Sequence, residues 1–189
     1  MFGKTRIEIF SDGVMAIIIT IMVLDIKAPL SNDLSALLSL YPKFLSYLLS
    51  FAYIAIYWNN HHHMFTLVDK INGQIMWSNF NLLFWLSLIP FTTSWVGETI
   101  FSKIPVIIYG AVLLLTAVAY RLLERRIIRF QGSDSKLKKA VGADYKERLS
   151  IAIYTVGIIC GFISPLISML AYVSVALLWI MPDRRIESI

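Results

Sequence analysis

Two stretches of this 189-residue chain gather side chains able to do chemistry. Residues 6–12 (RIEIFSD) set a hydroxyl and a carboxylate, Ser11 and Asp12, directly before the uncharged run 13–24. Residues 58–65 (WNNHHHMF) place three consecutive histidines, His61 to His63, beside Trp58 and two asparagines. Together with Asp12 that run invites a membrane-embedded metal-dependent enzyme as an alternative reading. Neighbouring helical residues point about 100° apart, however, so the run lacks the one-faced pair that histidines at i and i+4 supply. No metal ligand, catalytic residue or cofactor is assigned on this basis.

Asp12 carries the sharper signal, because of where its helix must lie. Twelve helical residues, 13–24, reach only about 18 Å, whereas a hydrocarbon core is about 30 Å thick. The missing length comes from residues 6–12, which puts Asp12 about 9 Å inside Arg6 along the axis. A carboxylate at that depth costs several kcal/mol unless it is paired or faces a wet cavity, so it marks a functional site. His61 or a neighbour is the expected partner of Ser11 or Asp12, locking the first helix to the second.

The rest of the chain supplies helices to hold this one. Hydrophobic residues make up 58% of the sequence and charged residues 15%, with a mean hydropathy of +0.71, which excludes the soluble class. The expected fold is all-α: an integral membrane protein with six transmembrane helices at approximately 6–26, 34–58, 74–93, 104–123, 147–163 and 165–182, forming one domain. Pro42 is expected to kink the second span, 59–73 to form a polar turn, and Arg121, Arg125, Arg126 and Arg129 to stop the fourth. Residues 131–148 read as the longest exposed connection. The apolar run 149–181 is too long for one span, and Gly161, Ser164 and Pro165 near its middle make it a hairpin. Within it Gly157 and Gly161 form G-x-x-x-G, a small-residue pattern that permits close packing. A cleaved leader is not expected, since Glu8 and Asp12 interrupt the approach to the apolar run and no A-x-A site follows Leu24.

With six crossings and both termini cytoplasmic, only Lys27, Lys43 and Lys103 of the 17 Lys and Arg fall on the far side. That agrees with the positive-inside rule, and a single final crossing would carry Arg184 and Arg185 out. The net charge of +5 is thereby explained by topology and contact with membrane lipids, and no aromatic-interleaved basic face points to nucleic acid. The single Cys160 offers no intramolecular disulfide.

The spelling R-x-x-x-F-S-D at Arg6, Phe10, Ser11 and Asp12, followed by Ala16, Ile17, Thr20, Leu24 and Pro29, resembles the signature of the endolysosomal potassium channel family called transmembrane protein 175, in its single-repeat bacterial form. W-x-x-H-x-x-x-F at Trp58, His61 and Phe65 is similar to a second pattern of that family, and 81–93 (NLLFWLSLIPFTT) to its third helix. There Asn81 and Ser87 are expected to act as interhelical glue. The resemblance implies a homotetramer whose first helices line a central pore for monovalent cations, potassium preferred, in a bacterial inner membrane. Taken alone, Ile17, Ile21 and Leu24, with Thr20 beside them, form a stripe fit for lipid or packing. The resemblance makes Ile17 the narrowest apolar ring and Thr20 a contributor to selectivity. No T-V-G-Y-G stretch occurs, so discrimination would rest on side-chain rings and dewetting. A non-conducting scaffold or carrier remains the other alternative.

Overall fold

A computed structural model of the chain describes residues 3–132, 134–141 and 145–180, all helices and connections with no strand among them. Helix α1 (Lys4–Leu24) opens at Gly3 and buries Ile7, Ser11, Met15, Ile18 and Met22. Those steps of three and four residues trace one stripe of a helix, flanked by the half-buried Val14 and Ile19, and much of the opposite side of α1 is left exposed. A short helix, α2 (Leu34–Leu38), precedes α3 (Tyr41–Thr66).

The helix expected over 34–58 is therefore divided at residues 39–40. Pro42 sits in the first turn of α3, where its missing N–H costs no hydrogen bond, so it starts a helix instead of kinking one. The stretch expected as a turn after Trp58 continues α3 for two more turns. Residues 59–66 contain no Gly or Pro, the Asn60 side chain donates back to Ile56 O (2.8 Å), and His61, Met64 and Phe65 are buried.

Helix α4 (Gly73–Ser87) is capped by Asn72, whose Oδ1 accepts from Ile75 N (3.0 Å). It gives way at Leu88 to α5 (Ile89–Glu98), with Pro90 in the new first turn. The span expected over 74–93 is thus two helices in series, since Pro90 cannot donate to the ladder that would join them. Ile100 (φ 49°) and Phe101 (φ 55°) then reverse the chain through the left-handed region.

Helix α6 (Lys103–Gln131) does not stop at Arg121 but runs to Gly132, whose φ of 93° ends it. Arginine is a good helix former, so the basic cluster ends the apolar span and not the helix. Residues 131–148 are not a plain exposed connection either. They hold α7 (Lys136–Val141), with Leu137 buried, and the first turn of α8 (Tyr145–Gly161), with Glu147 buried. The chain then turns at 162–164 into α9 (Pro165–Ile180). Residues 181–182 of the expected sixth span, and Arg184 and Arg185 of the charge argument, lie outside the described residues.

Helix α6 is the hub, packing against α4, α5, α8 and α9, while α3 bridges α5 and α9, and α1 leans on α3, α4 and α5. The hub admits close approach through glycines. A Cβ on Gly157 would lie 2.7 Å from the Tyr172 ring and one on Gly161 2.6 Å from Ile107. The G-x-x-x-G pair thus seats α8 against two different helices, α9 and α6. Among the described residues Lys4–Leu24, Gly73–Glu98 and Lys103–Gln131 are long and apolar enough to cross a membrane.

Candidate functional site

The helices α1, α3 and α4 meet on the motif residues. Ser11 is fully buried; its hydroxyl donates to Ile7 O (2.8 Å) and accepts from Asn79 Nδ2 (2.9 Å). The other end of that amide, Asn79 Oδ1, faces His61 Nε2 at 2.8 Å, an arrangement that puts the imidazole proton on Nε2. The His61 ring stacks on Phe65 one turn further on (4.5 Å between centroids). Phe10 closes the outer side by meeting Phe80 edge-on at 5.7 Å.

Asp12 follows a different line. It points to the exposed side of α1, and Trp58 Nε1 donates to its Oδ1 (2.9 Å). The direct bond expected between His61 and Ser11 or Asp12 is therefore split in two: Asn79 stands between His61 and Ser11, and Trp58 takes Asp12. Arg6 lies exposed on the first turn. The interhelical contact of α4 with α1 and α3 falls to Asn79, where Asn81 and Ser87 are the residues expected. Ser87 is exposed, and its hydroxyl donates within its own helix to Phe84 O (2.7 Å). Asn79 could have been singled out because it lies on the buried stripe Ile75, Asn79, Leu82, Leu86, where an unpartnered amide is costly.

A second buried polar layer went unforeseen. Ser50 of α3 contacts the hydroxyls of Thr93 (2.6 Å) and Tyr109 (2.9 Å), tying α3 to α5 and α6 near Met22 of α1. Its residues are scattered through the sequence with no local pattern.

The opposite face of α1 is open. Ile17 is 58%, Ile21 51% and Leu24 77% exposed, and Gly13, Ala16 and Thr20 are exposed with them. Thr20 donates its proton to Ile17 O (2.8 Å), which leaves lone pairs of its oxygen free for a cation. Ile19 is instead half-buried against the core. A groove of about 600 Å³ runs beside the open face, floored by Ile17, Ile18 and Ile21 and walled by Ser87, Pro90 and Phe91. Among the described residues, no group of three or more His, Cys, Asp or Glu is placed to hold a metal ion.

Residues 6–90, which carry the motifs around Asp12 and His61, match the family model described as the endosomal/lysosomal potassium channel TMEM175. Over 184 residues the chain is 51% identical to a potassium channel of Chryseobacterium sp. (strain P1-3), covering 97% of this chain and 96% of that one. The chain belongs to the TMEM175 family. Another relative, a potassium channel of Chamaesiphon minutus, is 33% identical over 173 residues, 84% of each chain. The architecture agrees: the crystal structure of a lysosomal potassium-selective channel TMEM175 homologue from Chamaesiphon minutus superimposes with a TM-score of 0.81 at 29% identity, covering 95% of this chain and 97% of that one. As a TMEM175-family chain with long apolar helices, it is an integral membrane protein.

Proposed function

We propose that this chain is a passive, potassium-preferring cation channel, assembled as a homotetramer with α1 from each copy around a central pore. One observation carries the reading: α1 packs into its own subunit by a single stripe, yet leaves Ile17, Thr20, Ile21 and Leu24 uncovered on the other side. One such helix cannot enclose a path, so several copies are needed, and a closed ring of four is what the family resemblance implies. The naming of the relatives as potassium channels supports the permeant ion.

In this assembly Ile17 is the narrowest point, an apolar ring that conducts only while it stays wet, and Thr20 lies one turn beyond it with an oxygen available to a partly dehydrated ion. The Ser11–Asn79–His61 chain and the Asp12–Trp58 bond hold α1 at a fixed rotation, keeping that face toward the axis. The chain crosses six times, with both termini cytoplasmic in a bacterial inner membrane, in keeping with the distribution of Lys and Arg. Recording from the purified protein in a planar bilayer, with potassium on one side and sodium on the other, tests the reading. Unitary currents reversing toward the potassium potential are expected. A silent bilayer, or a reversal at zero voltage, overturns it.

A further inference from the structure

Where α4 and α6 diverge, an open groove of about 670 Å³ is lined by Gln74, Trp77, Ser78, Asn81, Leu122 and Arg126, with Asn72 and Gly73 at its mouth. The groove is charged at its mouth and carries apolar side chains further in, with the amide of Asn81 beyond them. At the mouth, Arg126 Nη1 donates to Gln74 Oε1 (3.2 Å) beside the first turn of α4, whose positive end favours an anion. One turn deeper on α6 stands Leu122, and Trp77 is 69% exposed on the facing helix, the placement of an interfacial aromatic. About 10 Å further along α4 than Gln74 lies Asn81. Its side chain is half-buried and makes no hydrogen bond to any described residue. An amide at that depth in a membrane must be satisfied by something.

We infer that this groove binds one anionic phospholipid per subunit. The phosphate sits against the Arg126 guanidinium and the free N–H groups at the start of α4, the glycerol backbone passes Leu122 and Trp77, an ester carbonyl accepts from Asn81 Nδ2, and the acyl chain runs on beyond it. Charge complementarity at the mouth and a second polar contact at Asn81, about 10 Å further in, select this occupant. A soluble phosphate would use the mouth alone and leave Asn81 unexplained. The inference depends on the chain lying in a membrane and not on its conducting ions, so its outcome is separable from that of the channel reading.

The test is native mass spectrometry of the detergent-purified oligomer titrated with phosphatidylglycerol, phosphatidylcholine or inorganic phosphate. Phosphatidylglycerol adducts are expected to saturate at one tight site per subunit, with phosphatidylcholine weaker. Arg126→Ala should weaken phosphatidylglycerol binding about fivefold, in line with the usual contribution of one basic side chain near an anionic headgroup. Asn81→Leu removes no hydrogen bond to any described residue and should weaken both lipids. Arg129→Ala, an exposed position on α6 outside the groove, is the control and should change neither. Equal retention by wild type and Arg126→Ala overturns the inference, as does binding of inorganic phosphate that displaces the lipid. Loss of the oligomer in Trp77→Ala with unchanged lipid binding also overturns it, since a second copy would then cover the groove.

Discussion

Ser11 and Asp12 are neighbours in sequence with separate partners, and that separation can be measured. Because an unpaired buried polar group costs about 1 to 3 kcal/mol, His61→Ala and Asn79→Leu should each lower the melting temperature of the oligomer, and together by less than the sum. Asp12→Asn should couple in the same way to Trp58→Phe, whereas Asp12→Asn and His61→Ala should couple more weakly, since only a through-space charge interaction and no hydrogen bond joins them. Strong coupling between that last pair would mean that the two lines are one network. For conduction, Ile17→Asn should raise conductance and weaken selectivity by keeping the ring wet, and Ile17→Phe should nearly abolish flux. Thr20→Val should lower the potassium preference in bi-ionic reversal potentials while current persists. The same changes at Ile19, half-buried against the core, should alter stability more than current; if Ile19 tracks conductance, the assigned face of α1 is wrong.

Elements in this fold are positioned by which glycines they can afford to lose. A Cβ on Gly110 of α6 would overlap the hydroxyl of Tyr172 of α9, and one on Gly157 of α8 would press on the same ring. Tyr172 is fully buried and also accepts, through its carbonyl, a hydrogen bond from Tyr53 of α3 (2.5 Å), so the ring has little room to withdraw. Gly110→Ala and Gly157→Ala should therefore each destabilise by about 1 to 3 kcal/mol, the usual cost of overpacking a core, read as a lower melting temperature. On α1 the expectation is reversed. Nothing lies within 4 Å of a Cβ at Gly13, so Gly13→Ala should leave the subunit as stable or firmer, helical alanine being about 1 kcal/mol better than glycine. Any effect on current would then report contacts between copies.

At the scale of the whole molecule, the assembly decides what the open face of α1 is for. With Cys160→Ser as background to remove the single native thiol, Leu24→Cys should form disulfide-linked dimers on mild oxidation in the membrane, since copies around an axis bring that position together. Val156→Cys is the comparison: it is 56% exposed on α8, a helix that packs chiefly against α6 and α9. Dimers from both positions in equal yield would point to random collision and argue against a ring built on α1.

The all-helical class, the membrane setting and the first helix were legible because they rest on local quantities: apolar length, residue type and the 3.6-residue repeat. The hairpin of α8 and α9 was legible for the same reason, from Ser164 and Pro165 in an overlong apolar run. Helix ends were less so. The polar run after Trp58 and the arginines after Tyr120 look like stops, yet α3 and α6 pass through both, because His61 and Glu124 find burial in the tertiary structure that a linear reading cannot supply. The choice between Asn79 and Asn81 shows the limit most plainly. Two residues apart on a helix they point about 200° from each other, so sequence demands a partner for each, and only the rotation of α4 against α1, α3 and α6 decides. It sends Asn79 inward to Ser11 and His61 and leaves Asn81 facing the groove beside Arg126.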